Sequence, residues 1–276
     1  MRTDNSHLIL EKSVRPHFDN LENHLINYIN QSTYVIGCVA WLTNRNIIDA
    51  LENIKGVKII INKEEYLNSN MQTAQKFTYK CLRGCYNSIP DLFTIDCDCC
   101  KSNIVNCNNF NKIFGSIVND IAPPIIVNSV SITPVGDTRL DRVSITPVGD
   151  TRLDRVSGAP VCDTRLDRVA SIVAKLDGDT VECETISKNG AIITCGIVNN
   201  YSKMHHKFLV FFNEAFEPIG VWTGSYNLSI TSNFSLENAL YITDADVIAE
   251  YIKEFLIIYS FSESYNWNSG LLSVGI

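Results

Sequence analysis

The chain has 276 residues, 45% of them apolar, and a formal net charge of −7. That length suits one packed domain with an insertion, or two small domains. No apolar run approaches the roughly 18 residues of a membrane span, Met1–Ser6 lacks the apolar core of a signal peptide, and the acidic balance argues against tight non-specific coating of nucleic acid. The expectation is a soluble, cytoplasmic protein whose ten cysteines stay reduced.

The first third alternates helices and strands. Phe18, Leu21, Leu25, Ile26 and Ile29 recur at helical spacing, so roughly Arg15–Gln31 reads as an amphipathic helix. Thr33–Leu42 is a nearly continuous apolar run, as in a strand buried on both faces. Thr43 is placed to cap a helix through about Ile54, with Ile47, Ile48, Leu51 and Ile54 inward and Gly56 ending it. Val57–Asn62 is the next strand, which implies a parallel pair joined by a crossover helix. Another helix is expected over about Met71–Asn87.

The middle is different. Between Cys97 and Cys107 the chain is rich in Asn, Asp and Cys and shows no clear period. Cys81, Cys85, Cys97, Cys99, Cys100 and Cys107 match no common zinc-finger or ribbon spacing, so reduced thiols are expected rather than structural zinc. Val130–Arg142 is repeated identically at Val143–Arg155 and in diverged form at Val156–Arg168. The unit is too short for the usual solenoids, and a tolerated surface insertion is the expectation. Asp179–Ser187 and Ala191–Cys195, separated by Lys188, Asn189 and Gly190, read as a hairpin.

Order returns with strands at Met204–Phe212, Pro218–Thr223 and Leu236–Ile242. A helix follows over Asp244–Tyr259, capped by Thr243 or Asp244.

The chemistry concentrates here. Side chains alternate along a strand, so His205 and Lys207 emerge on one face at the mouth of an otherwise apolar strand. Burial and mutual repulsion both oppose charge on such a pair, and an anion such as phosphate relieves that cost. Ser225 and Asn227 follow a second strand, two apart, and offer hydroxyl and amide donors to phosphate oxygens. Glu237 stands in an apolar stretch, where a carboxylate can take the far proton of an imidazole and orient His205. His206 falls on the opposite face and is expected to be structural. Trp222 and Tyr226 are expected to pack rather than stack on bases.

The ordered set H-x-K (His205, Lys207), G-S-x-N (Gly224, Ser225, Asn227) and a downstream Glu237 resembles the phospholipase D superfamily, and more nearly its single-motif nucleases. The likeness covers most of the last third and the segments VIGCVAWLT and GVKIIINKEEYL of the first. It implies that His205 attacks phosphorus and becomes a phosphohistidine, with Lys207, Ser225 and Asn227 binding the phosphate oxygens and Glu237 orienting the nucleophile. It implies no metal and no cofactor. There is no second H-x-K in the chain, so the resemblance implies a homodimer in which a second His205 serves as general acid. Five residues after the motif lysine, where the family usually has Asp, stands Phe212.

The expectation is therefore an α/β fold, a mixed β-sheet flanked by helices on both faces. Residues 1-95 and 190-276 form the catalytic domain, and 96-189 form a Cys-rich, repeat-containing insertion. The expected function is a metal-independent phosphodiesterase, an endonuclease on DNA or RNA, without stable membrane association. The alternatives are a phospholipase or phosphatidyl-transferase with the same chemistry, and a non-catalytic nucleic-acid-binding module. No Lys- and Arg-rich amphipathic segment supports a lipid-facing role.

Overall fold

The computed structural model describes residues 13–64, 67, 76–97, 102–105, 109, 112–115, 190–196 and 203–265, with the side chains of 76–80, 94–97 and 102–105 left aside. The repeats, the hairpin arm 179–187, residues 71–75 of the third expected helix, and Cys99, Cys100 and Cys107 lie outside these residues.

An eight-stranded mixed sheet runs in the order β1-β9-β8-β7-β2-β3-β6-β10. At its centre, β2 (Tyr34–Val39) and β3 (Gly56–Asn62) pair in parallel, as their apolar runs require. The helix α2 (Arg45–Glu52) connects them. β7 (Lys207–Phe212) adds antiparallel to the other side of β2, and β8 (Pro218–Gly224) and β9 (Ala239–Ile242) continue antiparallel beyond it. β6 (Ile192–Cys195) lies parallel to β3 and antiparallel to β10 (Glu263–Ser264).

Strand alternation sorts the core into two layers. Val35, Val39, Ile59, Ile61, Leu209 and Phe211 face α1 (Leu21–Asn30), α2 and α3 (Lys76–Ser88). Ile36, Cys38, Ile60, Val210 and Phe212 face α4 (Ala245–Phe261), whose Ile252, Phe255, Leu256 and Tyr259 are buried. The result is the α/β arrangement expected, with helices on both faces. Each fully buried Leu, Ile or Phe in these layers contributes roughly 1.5–3 kcal/mol. Phe212 is one of them and fills the layer under α4.

Several boundaries differ from the sequence expectation. The long first helix is instead a strand, β1 (Val14–His17), followed by α1. Pro16 has no N–H to give a helix, and an edge strand tolerates it. Phe18, placed by spacing on the buried stripe, is 70% exposed. Asn44, not Thr43, caps α2 by accepting from the Asn46 N–H at 3.0 Å. The helix stops at Asn53, and Gly56 opens β3, where a Cβ would come within 3.1 Å of Leu92. A small antiparallel pair, β4 (Thr94–Cys97) with β5 (Ser102–Val105), reaches into the segment whose sequence shows no clear period. Asp244 caps α4, accepting from the Val247 N–H at 3.1 Å.

Candidate active site

The carboxyl ends of β2 and β3 and the start of β7 meet at one end of the sheet, where Val39 pairs with Lys207. Lys207 opens β7, and Met204–His206 precede it as extended chain tied to the sheet. The Ala40 N–H donates to the His206 carbonyl at 2.8 Å, and the Met204 N–H donates to Asn62 Oδ1 at 3.1 Å. This anchoring preserves the alternation. His206 turns to α4, 3.2 Å from Glu254, while His205 and Lys207 come together on the other side.

Lys207 Nζ lies 3.2 Å from Nδ1 and 3.4 Å from Nε2 of His205, and donates to the His205 carbonyl at 3.0 Å. The ammonium is within reach of both ring nitrogens rather than docked on one of them. Burial pushes the His205 imidazole below its ordinary value, and Lys207, Lys203 and His206 push it the same way. Burial also lowers Lys207, against an upward pull from Glu237. Both influences favour the neutral imidazole, the form a nucleophile requires.

Ser225 arrives from the end of β8. A Cβ on Gly224 would meet the Asn238 carbonyl oxygen at 2.3 Å and Ala239 Cα at 2.7 Å, so only glycine lets the two strands close here. The Ser225 N–H donates to the Asn238 carbonyl at 3.0 Å, and the Asn238 N–H donates to Ser225 Oγ at 3.0 Å. This exchange ends the strand expected from Leu236, so β9 starts only at Ala239. The Ser225 hydroxyl donates to Glu237 Oε2. Glu237 therefore holds Ser225 and is not hydrogen-bonded to His205 of the same chain. Asn227 is partly buried, and its Oδ1 has no partner among the described residues.

Asn227 and Glu237 line an open cleft of about 490 Å³ with Trp41, Thr43, Ser229, Thr231, Ser232 and Ser235. Its wall is hydroxyls, one amide, one indole and one carboxylate. Trp222 and Tyr226 pack inside, as expected. Trp222 stacks on His17 with ring centroids 5.4 Å apart, and Tyr226 donates to Asn233 Oδ1 at 2.6 Å. Burial, then Glu22, pushes the Tyr226 phenol up to about 12. Sequence reasoning missed Trp41, whose ring meets His205 edge to face at 5.5 Å and 85°. It sits inside an apolar run, where an aromatic reads only as core. No group of three or more His, Cys, Asp or Glu among the described residues is arranged to hold a metal ion. Among them no helix is long and apolar enough to cross a membrane.

Fold and cluster together define a mixed-sheet α/β protein whose polar groups gather where the parallel strands end and the antiparallel ones begin. No protein-family model matches the chain. It is 47% identical over 264 residues to the uncharacterized protein L381 of Acanthamoeba polyphaga mimivirus, across 96% of this chain and 71% of that one, and it belongs to that protein's family. Two solved structures are similar to it. The phospholipase D family member Nuc from Salmonella typhimurium has 12% identity and a TM-score of 0.39, over 92% of this chain and 98% of that one. NucT from Helicobacter pylori has 12% identity and a TM-score of 0.42, over 91% of this chain and 98% of that one. Superpositions at this level bear on neither activity nor residue roles, which rest on the residues themselves.

Proposed function

We propose that this chain is a metal-independent phosphodiesterase of the phospholipase D superfamily that cleaves nucleic acid, with His205 as the nucleophile. The observation that carries the reading is the Lys207 ammonium within reach of both nitrogens of the His205 ring, at the sheet end that also receives Ser225, Asn227 and Glu237. A nitrogen of His205 attacks phosphorus and the leaving oxygen departs, giving a phosphohistidine that water then opens. Lys207 and the Asn227 amide hold the non-bridging oxygens. The Ser225 hydroxyl joins them by turning its proton from Glu237 to the phosphate. That exchange frees the carboxylate for Lys207, whose charged form it favours against the effect of burial.

The leaving oxygen needs a proton. The chain's other described histidines are placed elsewhere: His206 against Glu254, and His17 and His24 with ring centroids 4.4 Å apart beside Trp222. A second copy of the chain supplies the acid as its own His205. The cleft rim offers it an apolar surface, with Phe234 86% and Leu236 106% exposed beside exposed Ile230.

The purified protein is expected to cut single- or double-stranded DNA or RNA with EDTA present, and to leave phosphatidylcholine vesicles intact. Strict dependence on added Mg²⁺ rejects the mechanism. Cleavage of lipid in place of nucleic acid points to the transferase chemistry, and binding without cleavage at every pH points to a non-catalytic module.

The pH profile carries a sign. His205 is held below its ordinary value, so the acid limb of kcat/KM should lie below the pH of about 6.5 where a free histidine titrates. Lys203→Ala removes one of the cations opposing protonation. The acid limb should then move up in pH, with the plateau rate unchanged. A limb that stays or moves down contradicts this account of the site's electrostatics.

A further inference from the structure

We infer that Glu64, acting through Trp41 and Asn62, is the positioning group that fixes the attack direction of His205. This rests on the phosphodiesterase reading for its catalytic meaning, while its structural content is independent of it.

One carboxylate oxygen, Glu64 Oε1, accepts two hydrogen bonds that lead to the nucleophile by separate routes. The Trp41 indole N–H donates to it at 3.2 Å, and the same indole meets the His205 ring edge to face. The Asn62 amide donates to it at 2.6 Å, and the other end of that amide accepts the Met204 N–H, one residue before His205. The backbone closes the frame. The Asn62 N–H donates to the Ala40 carbonyl at 3.2 Å, and the Ala40 N–H holds the His206 carbonyl at 2.8 Å, one residue after. His205 is therefore held on both chain sides by the ends of β2 and β3, and at its ring by an indole that Glu64 orients.

The ring needs such a hold. Among the described residues its polar and ring partners are Lys207 and Trp41. An arriving phosphate draws the Lys207 ammonium to itself, which leaves Trp41 to set the ring plane. Glu64 does not act through its field, because the groups that shift His205 are burial, Lys207, Lys203 and His206. A carboxylate is not required as such; an oxygen acceptor at that point is. Asn62 is only 2% exposed, so its two hydrogen bonds are not readily replaced by water.

The test uses the full chain, with bis(p-nitrophenyl) phosphate as substrate and selectively labelled histidine for NMR. Glu64→Ala and Trp41→Phe should each lower kcat about 10- to 100-fold, with KM within about twofold, as for a nucleophile held slightly off line. Glu64→Gln keeps the accepting oxygen and should restore kcat to within about threefold of wild type, without moving the acid limb of the pH profile. The nuclear Overhauser contact between the His205 ring and the Trp41 indole should persist in Glu64→Gln and vanish in Glu64→Ala while circular dichroism is unchanged. Near-wild-type kcat in Glu64→Ala, or equal losses in the Ala and Gln variants, overturns the inference. If wild type cuts no phosphodiester, the functional reading fails, and the Overhauser contact still decides whether Glu64 orients the ring.

Discussion

His205→Ala should lower phosphodiester cleavage by at least about 10³-fold while leaving the thermal transition in place. The side chain is exposed at the end of the sheet and belongs to neither core layer, so its loss removes chemistry rather than packing. The variant also tests the shared site. If each turnover uses one His205 as nucleophile and a second as acid, a mixed dimer has no complete centre. Co-refolding equal amounts of wild type and His205→Ala should then leave about one quarter of the wild-type activity, whereas independent subunits leave about one half. Activity near one half, or a monomeric mass by light scattering for a fully active sample, removes the second copy from the mechanism. Residual cleavage close to wild type removes His205 itself.

Asp91→Ala should cost about 3 kcal/mol of stability, a fall in Tm of roughly 6–12 °C for a chain of this size. Lys58 lies in the middle of the sheet at 1% exposure, on a strand that otherwise reads as pure core. Its ammonium donates to Asp91 Oδ1 at 3.0 Å and Oδ2 at 3.2 Å, and to the Gly190 carbonyl at 2.8 Å. Burial pushes Lys58 down, and Asp91 pulls it back up. Taking away the carboxylate leaves a buried cation without the group that holds it, and shedding the proton limits the loss. Lys58→Met in the Asp91→Ala background removes the charge and should recover much of the stability. Cleavage per folded molecule should not change, because Lys58 pairs with Ile36 rather than with the strand ends that carry the site. A loss below about 1 kcal/mol by denaturant titration contradicts this account.

The sheet was legible where a strand announces itself by itself. Thr33–Leu42, Val57–Asn62 and Met204–Phe212 are apolar on both faces, and each holds a central strand. Edge elements were not, since β1 contains a proline and shares its apolar positions with the helix after it. Of the site, the His205 and Lys207 pair could be read, because alternation along extended chain is local. The partner of Glu237 could not, because the Ser225 hydroxyl reaches it only once Gly224 lets β8 and β9 close. Asn62 and Glu64 follow a strand, where polar residues look like turn chemistry. Their role depends on Met204, more than a hundred residues away in the chain.

The outer strands of the sheet bear on how copies of this protein can meet. β1 is four residues long and interrupted by Pro16, and β10 has two residues. Among the described residues, neither rim presents the long row of free amides and carbonyls that another chain needs in order to extend the sheet. Continuous cross-molecular ladders, and the fibrous aggregates that grow from them, are disfavoured at both rims. Among the described residues, the exposed phenylalanine and leucine around the cleft mouth offer a contact made by side chains instead.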